Sequence, residues 1–173
     1  MPSRNYNRFS DEDVAALIAY VKQVPPVNDT MAASHVGPVG RALLLAGKAR
    51  LVDAAEIDQQ LPHAPAPELG PTAAYGAYIA RVGSCLGCHR SKLEGGHVVG
   101  APPSFRPAAN LTPTGIGRWT KADFVRALRQ GLLPGGVAID SFMPVRMTKD
   151  MNDTEIDALW AYLQTVPPRS MGK

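Results

Sequence analysis

The first 26 residues of this chain recur near its end. Sliding them by 142 positions without a gap lays Met1-Pro2 on Met143-Pro144, Arg4 on Arg146 and Asp11 on Asp153. The same shift lays Ala16-Leu17 on Ala158-Leu159, Ala19-Tyr20 on Ala161-Tyr162 and Val24-Pro25-Pro26 on Val166-Pro167-Pro168. This makes 11 identities in 26 places, where ordinary composition gives about one or two by chance. The chain thus opens with the tail of one structural unit and closes with the same tail of another.

Both tails read as helices. In the second, Asn152 followed by Glu155 is a capping-box pattern, and Ile156, Leu159, Trp160 and Leu163 fall at helical spacing until Pro167-Pro168 stops them. In the first, Ser10 and Asp13 open the helix, and Val14, Leu17, Ile18 and Val21 form the stripe ahead of Pro25-Pro26. Residues 27–67 read as a connector with one short helix around Arg41 to Lys48, ending in the Pro-rich run Leu61-Pro62-His63-Ala64-Pro65-Ala66-Pro67. A compact unit follows over 68–169, with 170–173 as a tail. In it Thr72 to Gly83 suits a helix, 91–118 reads as loop, and Thr120 with Asp123 caps a helix closing at Gly131. No stretch alternates with period two, and Gly and Pro together supply 32 of 173 residues. The expectation is an all-α unit with long loops, preceded by an orphan helix and connector.

Charge narrows the function classes. Lys and Arg number 18 against 15 Asp and Glu, a net of +3, with no basic run long enough for a nucleic-acid stripe. No apolar run approaches the roughly 20 residues of a spanning helix. The start, Met1 to Arg8, lacks the pattern of a secretory signal. Residues 1–67 carry 6 basic and 7 acidic side chains, whereas 68–173 carry 12 and 8, so the compact unit holds the positive charge.

The only two cysteines stand in Cys85-Leu86-Gly87-Cys88-His89. A Cys-x-x-Cys-His run at a helix end suits covalent attachment of one c-type haem: two thioethers hold the edge of the macrocycle while the adjacent imidazole reaches the iron. Three other readings stay open on these residues alone. A thioredoxin-like dithiol wants a βαβ context that is missing. A zinc site wants four ligands, and beyond these three only His97 is close in sequence. A structural disulfide here closes a very small loop and restricts the unfolded chain little.

Further pieces join this motif in a fixed order. They are Gly76-Ala77-Tyr78-Ile79, Ala109-Asn110-Leu111-Thr112-Pro113, Gly115-Ile116-Gly117-Arg118-Trp119-Thr120, Phe124 to Gly131, Met143-Pro144 and the Asp153 to Leu163 helix. With them, residues 71–168 resemble the class I-like cytochrome c domains of bacterial di- and multihaem proteins, including the cytochrome subunits of alcohol dehydrogenases. The resemblance implies a cytochrome c fold with His89 as proximal iron ligand and Met143 as distal ligand; Met147 and Met151 are rivals on the same stretch. It also implies that a proline-bearing loop, through Pro102 or Pro103, accepts the proton on the other ring nitrogen of His89. Asn110 and Trp119 are candidates to face the haem or its propionates, equally well read as a turn Asn and a core Trp. His35, His63 and His97 read as solvated loop residues. Gly76 is placed to let an aromatic, Tyr162 or Trp160, approach closely from the last helix.

By the repeat, Met1 stands where Met143 stands, in an upstream domain whose own Cys-x-x-Cys-His is absent. The expectation is a C-terminal piece of a di- or multihaem cytochrome, with 1–26 the remnant of that domain; the rival view is a native start with a decorating helix. The Val14/Leu17/Ile18/Val21 face must then dock on the remaining unit, self-associate or stay exposed. The function expected is single-electron transfer with protein partners (a dehydrogenase, an oxidase or another cytochrome), with no nucleic acid and with membrane association only through missing parts or partners. Arg81, Arg90, Lys92, Arg106 and Lys121 are candidates to steer acidic partners. The full-length protein is expected in the periplasm or on the extracytoplasmic face of a bacterial membrane. The alternatives are a haem enzyme with an open distal site, peroxidase-like, and a haem-free dithiol or metal module.

Overall fold

The computed structural model describes residues 6–30, 32–48, 54, 57–58, 60, 64–98, 101–102 and 104–172. Met1, His63 and Pro103, singled out above, lie outside the described residues. The chain divides into two compact units, Met1–Ala66 and Pro67–Lys173.

In the first unit, α1 (Asp11–Val21) starts where the sequence requires, with the Ser10 side chain accepting from the Asp13 backbone N–H at 3.1 Å. Asp11, Glu12 and Asp13 place negative charge on the positive end of the helix dipole. Within that unit Leu17, Ile18 and Val21 of the stripe are exposed, at 42%, 50% and 58%, and Val14 is half-buried. The connector helix α2 (Pro38–Leu45) begins three residues earlier than expected. Pro38 is the reason: its fixed φ suits the first helical position, and Gly47, at φ 66°, ends the turn.

The second unit holds α3 (Ala73–Val82), α4 (Cys85–His89), α5 (Pro113–Ile116), α6 (Lys121–Gln130), α7 (Val145–Thr148) and α8 (Asp153–Leu163). Among the described residues there is no strand, only two isolated antiparallel bridges, Gly96 to Ala108 and Leu132 to Ala138. The all-α expectation holds, and no helix among those residues is long and apolar enough to cross a membrane. Capping explains the boundaries. Thr120 and Asp123 exchange bonds of 3.1 and 3.0 Å at the start of α6, and Asn152 and Glu155 exchange bonds of 2.9 and 2.8 Å at the start of α8. The one-turn helices α5 and α7 lie in segments whose composition gives no helical period.

The core joins Ile79 and Ala80 of α3, Phe124 and Leu128 of α6, and Ile156, Ala158, Leu159 and Leu163 of α8, with Leu93, Ile116 and Val166. Each buried Ile, Leu or Phe here contributes about 1.5–3 kcal/mol. The closest approach is α3 on α8 at Gly76. A Cβ built there would run into the Ala158 carbonyl and lie 2.8 Å from Tyr162 Cβ. The aromatic opposite Gly76 is therefore Tyr162. Trp160 turns instead to α6, its ring centroid 5.4 Å from that of Phe124.

Candidate haem-binding site

Helix α3 does not run into the cysteine motif. It stops at Gly83, whose N–H donates to Ile79 O at 2.8 Å, and Ser84 turns the chain with φ 62° and ψ 18°. The five residues Cys85-Leu86-Gly87-Cys88-His89 then form a helical turn of their own, α4. Three residues apart on that turn, Cys85 and Cys88 share one face. Both are free thiols and half-buried. Burial pushes the Cys85 thiol pKa up and the neighbouring Cys88 adds to the rise, against the pull of its own backbone hydrogen bond.

His89 is 7% exposed. Its Nδ1 lies 2.7 Å from the Ala109 carbonyl oxygen. A carbonyl only accepts, so Nδ1 carries the proton and Nε2 keeps its lone pair. Burial holds the pKa of the ring below the usual histidine value, more strongly than the Ala109 bond raises it, so the imidazole is neutral. A buried, neutral ring with a bare Nε2, directly after two free thiols, is the donor set a c-type haem needs.

The proton acceptor corrects the sequence expectation. It is Ala109, and Pro102, exposed on its loop, does not serve. The register comes from a short two-way pairing: Gly96 N–H donates to Ala108 O and Ala108 N–H to Gly96 O, both at 2.9 Å. Gly95 and Gly96 permit it, with φ of 68° and 109° and no room for a Cβ at either. Leu111 N–H adds a 2.8 Å bond to Leu93 O. Arg90, after the motif, is held at φ 65° and ψ 166°, a region usually left to glycine, and its Nη2 donates to His97 O at 3.2 Å.

The Asn110 side chain is engaged in a turn. Its Oδ1 accepts from Thr112 N and Oγ1 at 2.9 and 2.7 Å, and its Nδ2 donates to Arg169 O at 2.7 Å. Trp119 is half-buried against the core. Of the three methionines, Met143 and Met151 pack against the core, whereas Met147 is 67% exposed. His35 and His97 are exposed, as expected of loop residues. Among the described residues no three His, Cys, Asp or Glu side chains converge to hold a metal ion, so the zinc reading finds no ligand set there. Sequence reasoning missed Phe105 and Phe142, which meet edge-on with centroids 4.8 Å apart beside Met143. Loop closure brings them together, and nothing in the sequence pattern links them.

The family model for cytochrome c matches residues 73–167. The alcohol dehydrogenase (quinone), cytochrome c subunit of Gluconacetobacter polyoxogenes is 35% identical over 94 residues, 50% of this chain and 20% of that protein. The fructose dehydrogenase cytochrome subunit of Gluconobacter japonicus is 30% identical over 109 residues, 58% of this chain and 22% of that protein. A nicotinate dehydrogenase subunit of Pseudomonas putida is 34% identical over 100 residues, 54% of this chain and 8% of that protein. The chain thus spans about a fifth or less of the length of these relatives. The matched stretch is more than half of the 173 residues and contains every element around α4 described above, and on that ground the chain belongs to the cytochrome c family.

Proposed function

We propose that the second unit carries one haem c and passes single electrons between protein partners, with no substrate chemistry of its own. The observation that carries this reading is the buried His89 ring, protonated on Nδ1 by its bond to Ala109 and bare on Nε2, one residue after Cys88. Cys85 and Cys88 would hold the group through thioethers, and the His89 imidazole and the Met143 thioether would bind its iron. The iron, when bound, supplies a one-electron Fe(II)/Fe(III) couple, and a neutral thioether ligand raises its potential. Met143 is preferred to Met147 because Met147 stands in solvent. Replacing Met143 with alanine should give a high-spin spectrum and a lower potential. An unchanged spectrum would move the ligand role to Met151. The relatives' names, cytochrome subunits of alcohol and fructose dehydrogenases, support a dehydrogenase as electron donor. Attachment of c-type haem outside the cytoplasm supports a periplasmic or extracytoplasmic site. Arg81, Lys92 and Arg106 are exposed and suit steering of an acidic partner, whereas Lys121 is already paired with Asp157 at 2.7 Å.

The reading extends to residues 1–26. In register with α8, α1 sets Ala16, Leu17, Val21 and Val24 where Ala158, Leu159, Leu163 and Val166 stand. The α8 set is buried, while Leu17, Val21 and Val24 are 42%, 58% and 53% exposed. We infer that α1 is shaped to close a second unit of the same kind. The repeat supplies the test, because a copy of residues 67–142 fused ahead of residue 1 restores the register of the second unit. That tandem should gain two haems on maturation; a tandem carrying one haem, with α1 amides still exchanging freely, contradicts the assignment.

A further inference from the structure

Asn110 and Thr112 form a buried polar pair that the haem-binding role does not use, with Asn110 6% and Thr112 0% exposed. They close a ring with the tail. Arg169 N–H donates to Thr112 Oγ1 at 3.2 Å, Thr112 O–H donates to Asn110 Oδ1 at 2.7 Å, and Asn110 Nδ2 donates to Arg169 O at 2.7 Å. The Thr112 hydroxyl also lies 3.3 Å from Arg169 O, so its one proton goes to the nearer Asn110 acceptor. Further along, Gly172 N–H reaches Glu94 O at 3.3 Å. The segment after α8 is thereby strapped across the loop that follows the cysteine motif.

Ala109 sits between two fixed points. On one side Ala108 is paired both ways with Gly96, and on the other Asn110 is locked in the ring. Between them the Ala109 carbonyl meets His89 Nδ1 at 2.7 Å. We propose that Asn110 and Thr112 are positioning residues: through the ring with the Arg169 backbone they set the Ala109 to His89 hydrogen bond, and with it the donor strength of the proximal imidazole. This rests on the haem reading above. A firm acceptor on Nδ1 makes Nε2 more basic and favours Fe(III). Loosening the ring weakens that donation and shifts the reduction potential upward.

The test uses the full chain after haem maturation. Thr112→Val keeps the shape of the side chain and deletes the hydroxyl, so the potential should rise and the His89 Nδ1 proton of the reduced, diamagnetic protein should exchange faster. Thr112→Ser keeps the hydroxyl and should return both readings to the wild-type values. Should the valine variant fail to accumulate, Arg169→Pro against Arg169→Ala serves instead. Both lose the same charge and only proline loses the N–H, so the proline variant should have the higher potential. A valine variant with intact haem spectrum, wild-type potential and wild-type exchange overturns the inference, as does a proline variant matching the alanine one. An unsubstituted chain that takes up no haem overturns the parent reading, and its unmodified mass tells the two failures apart.

Discussion

Replacing Cys85 and Cys88 together with alanine should yield a chain of unmodified mass that no longer unfolds cooperatively. Neither sulfur is itself a large part of the core, since both are only half-buried. The effect comes from what they retain. The half-buried Leu86, Leu111, Trp119, Met143 and Met151 pack against the edge of the buried cluster. Phe105 and Phe142 remain 38% and 44% exposed. A unit of this size buries a modest fraction of its surface, so a missing central group removes a large part of a margin of only about 5–15 kcal/mol. Intact mass and denaturant unfolding followed by circular dichroism check both halves of the result. A soluble, colourless double variant with a sharp unfolding transition would show that the protein core folds without the group.

Gly76→Ala should destabilise the matured protein by about 3 kcal/mol or more, at the upper end of overpacking costs. In an open helix the same change gains about 1 kcal/mol, because alanine loses less backbone freedom than glycine. The sign reverses here because the new methyl group would lie within the Ala158 carbonyl, a backbone group of α8 that cannot turn aside like a side chain. The two helices must separate, and the burial of Ile79, Ala158 and Leu159 suffers with them. Denaturant titration of the holo protein measures this. A gain in stability would mean that α3 and α8 do not cross at Gly76.

The helix positions were legible because their signals are local. Thr120 with Asp123 and Asn152 with Glu155 cap as their three-residue spacing predicts, and Gly76 inside a helix pointed to a close crossing with Tyr162 or Trp160, of which the structure selects Tyr162. The end of α3 at Gly83 was legible, whereas the separate turn α4 was not, since Ser84 adopts φ 62° without being a glycine. The acceptor for His89 was hidden for a different reason. A backbone carbonyl carries no mark in the sequence, and which one faces the ring depends on the pairing of Gly96 with Ala108. The family resemblance pointed to Pro102 or Pro103, whereas the His89 ring meets the Ala109 carbonyl. Asn110 was ambiguous because its partner Arg169 lies 59 residues away. The stripe of α1 is interpretable only by comparison with α8, where Ile156, Leu159 and Leu163 at the matching positions are buried.

The most direct test of the account is intact mass together with oxidised and reduced optical spectra of the chain, exported behind a signal peptide in a host that matures c-type haem. A mass increase of one haem, a sharp low-spin reduced spectrum and a sulfur-to-iron band in the oxidised form are expected. A colourless chain of unmodified mass from a host whose maturation works would contradict it.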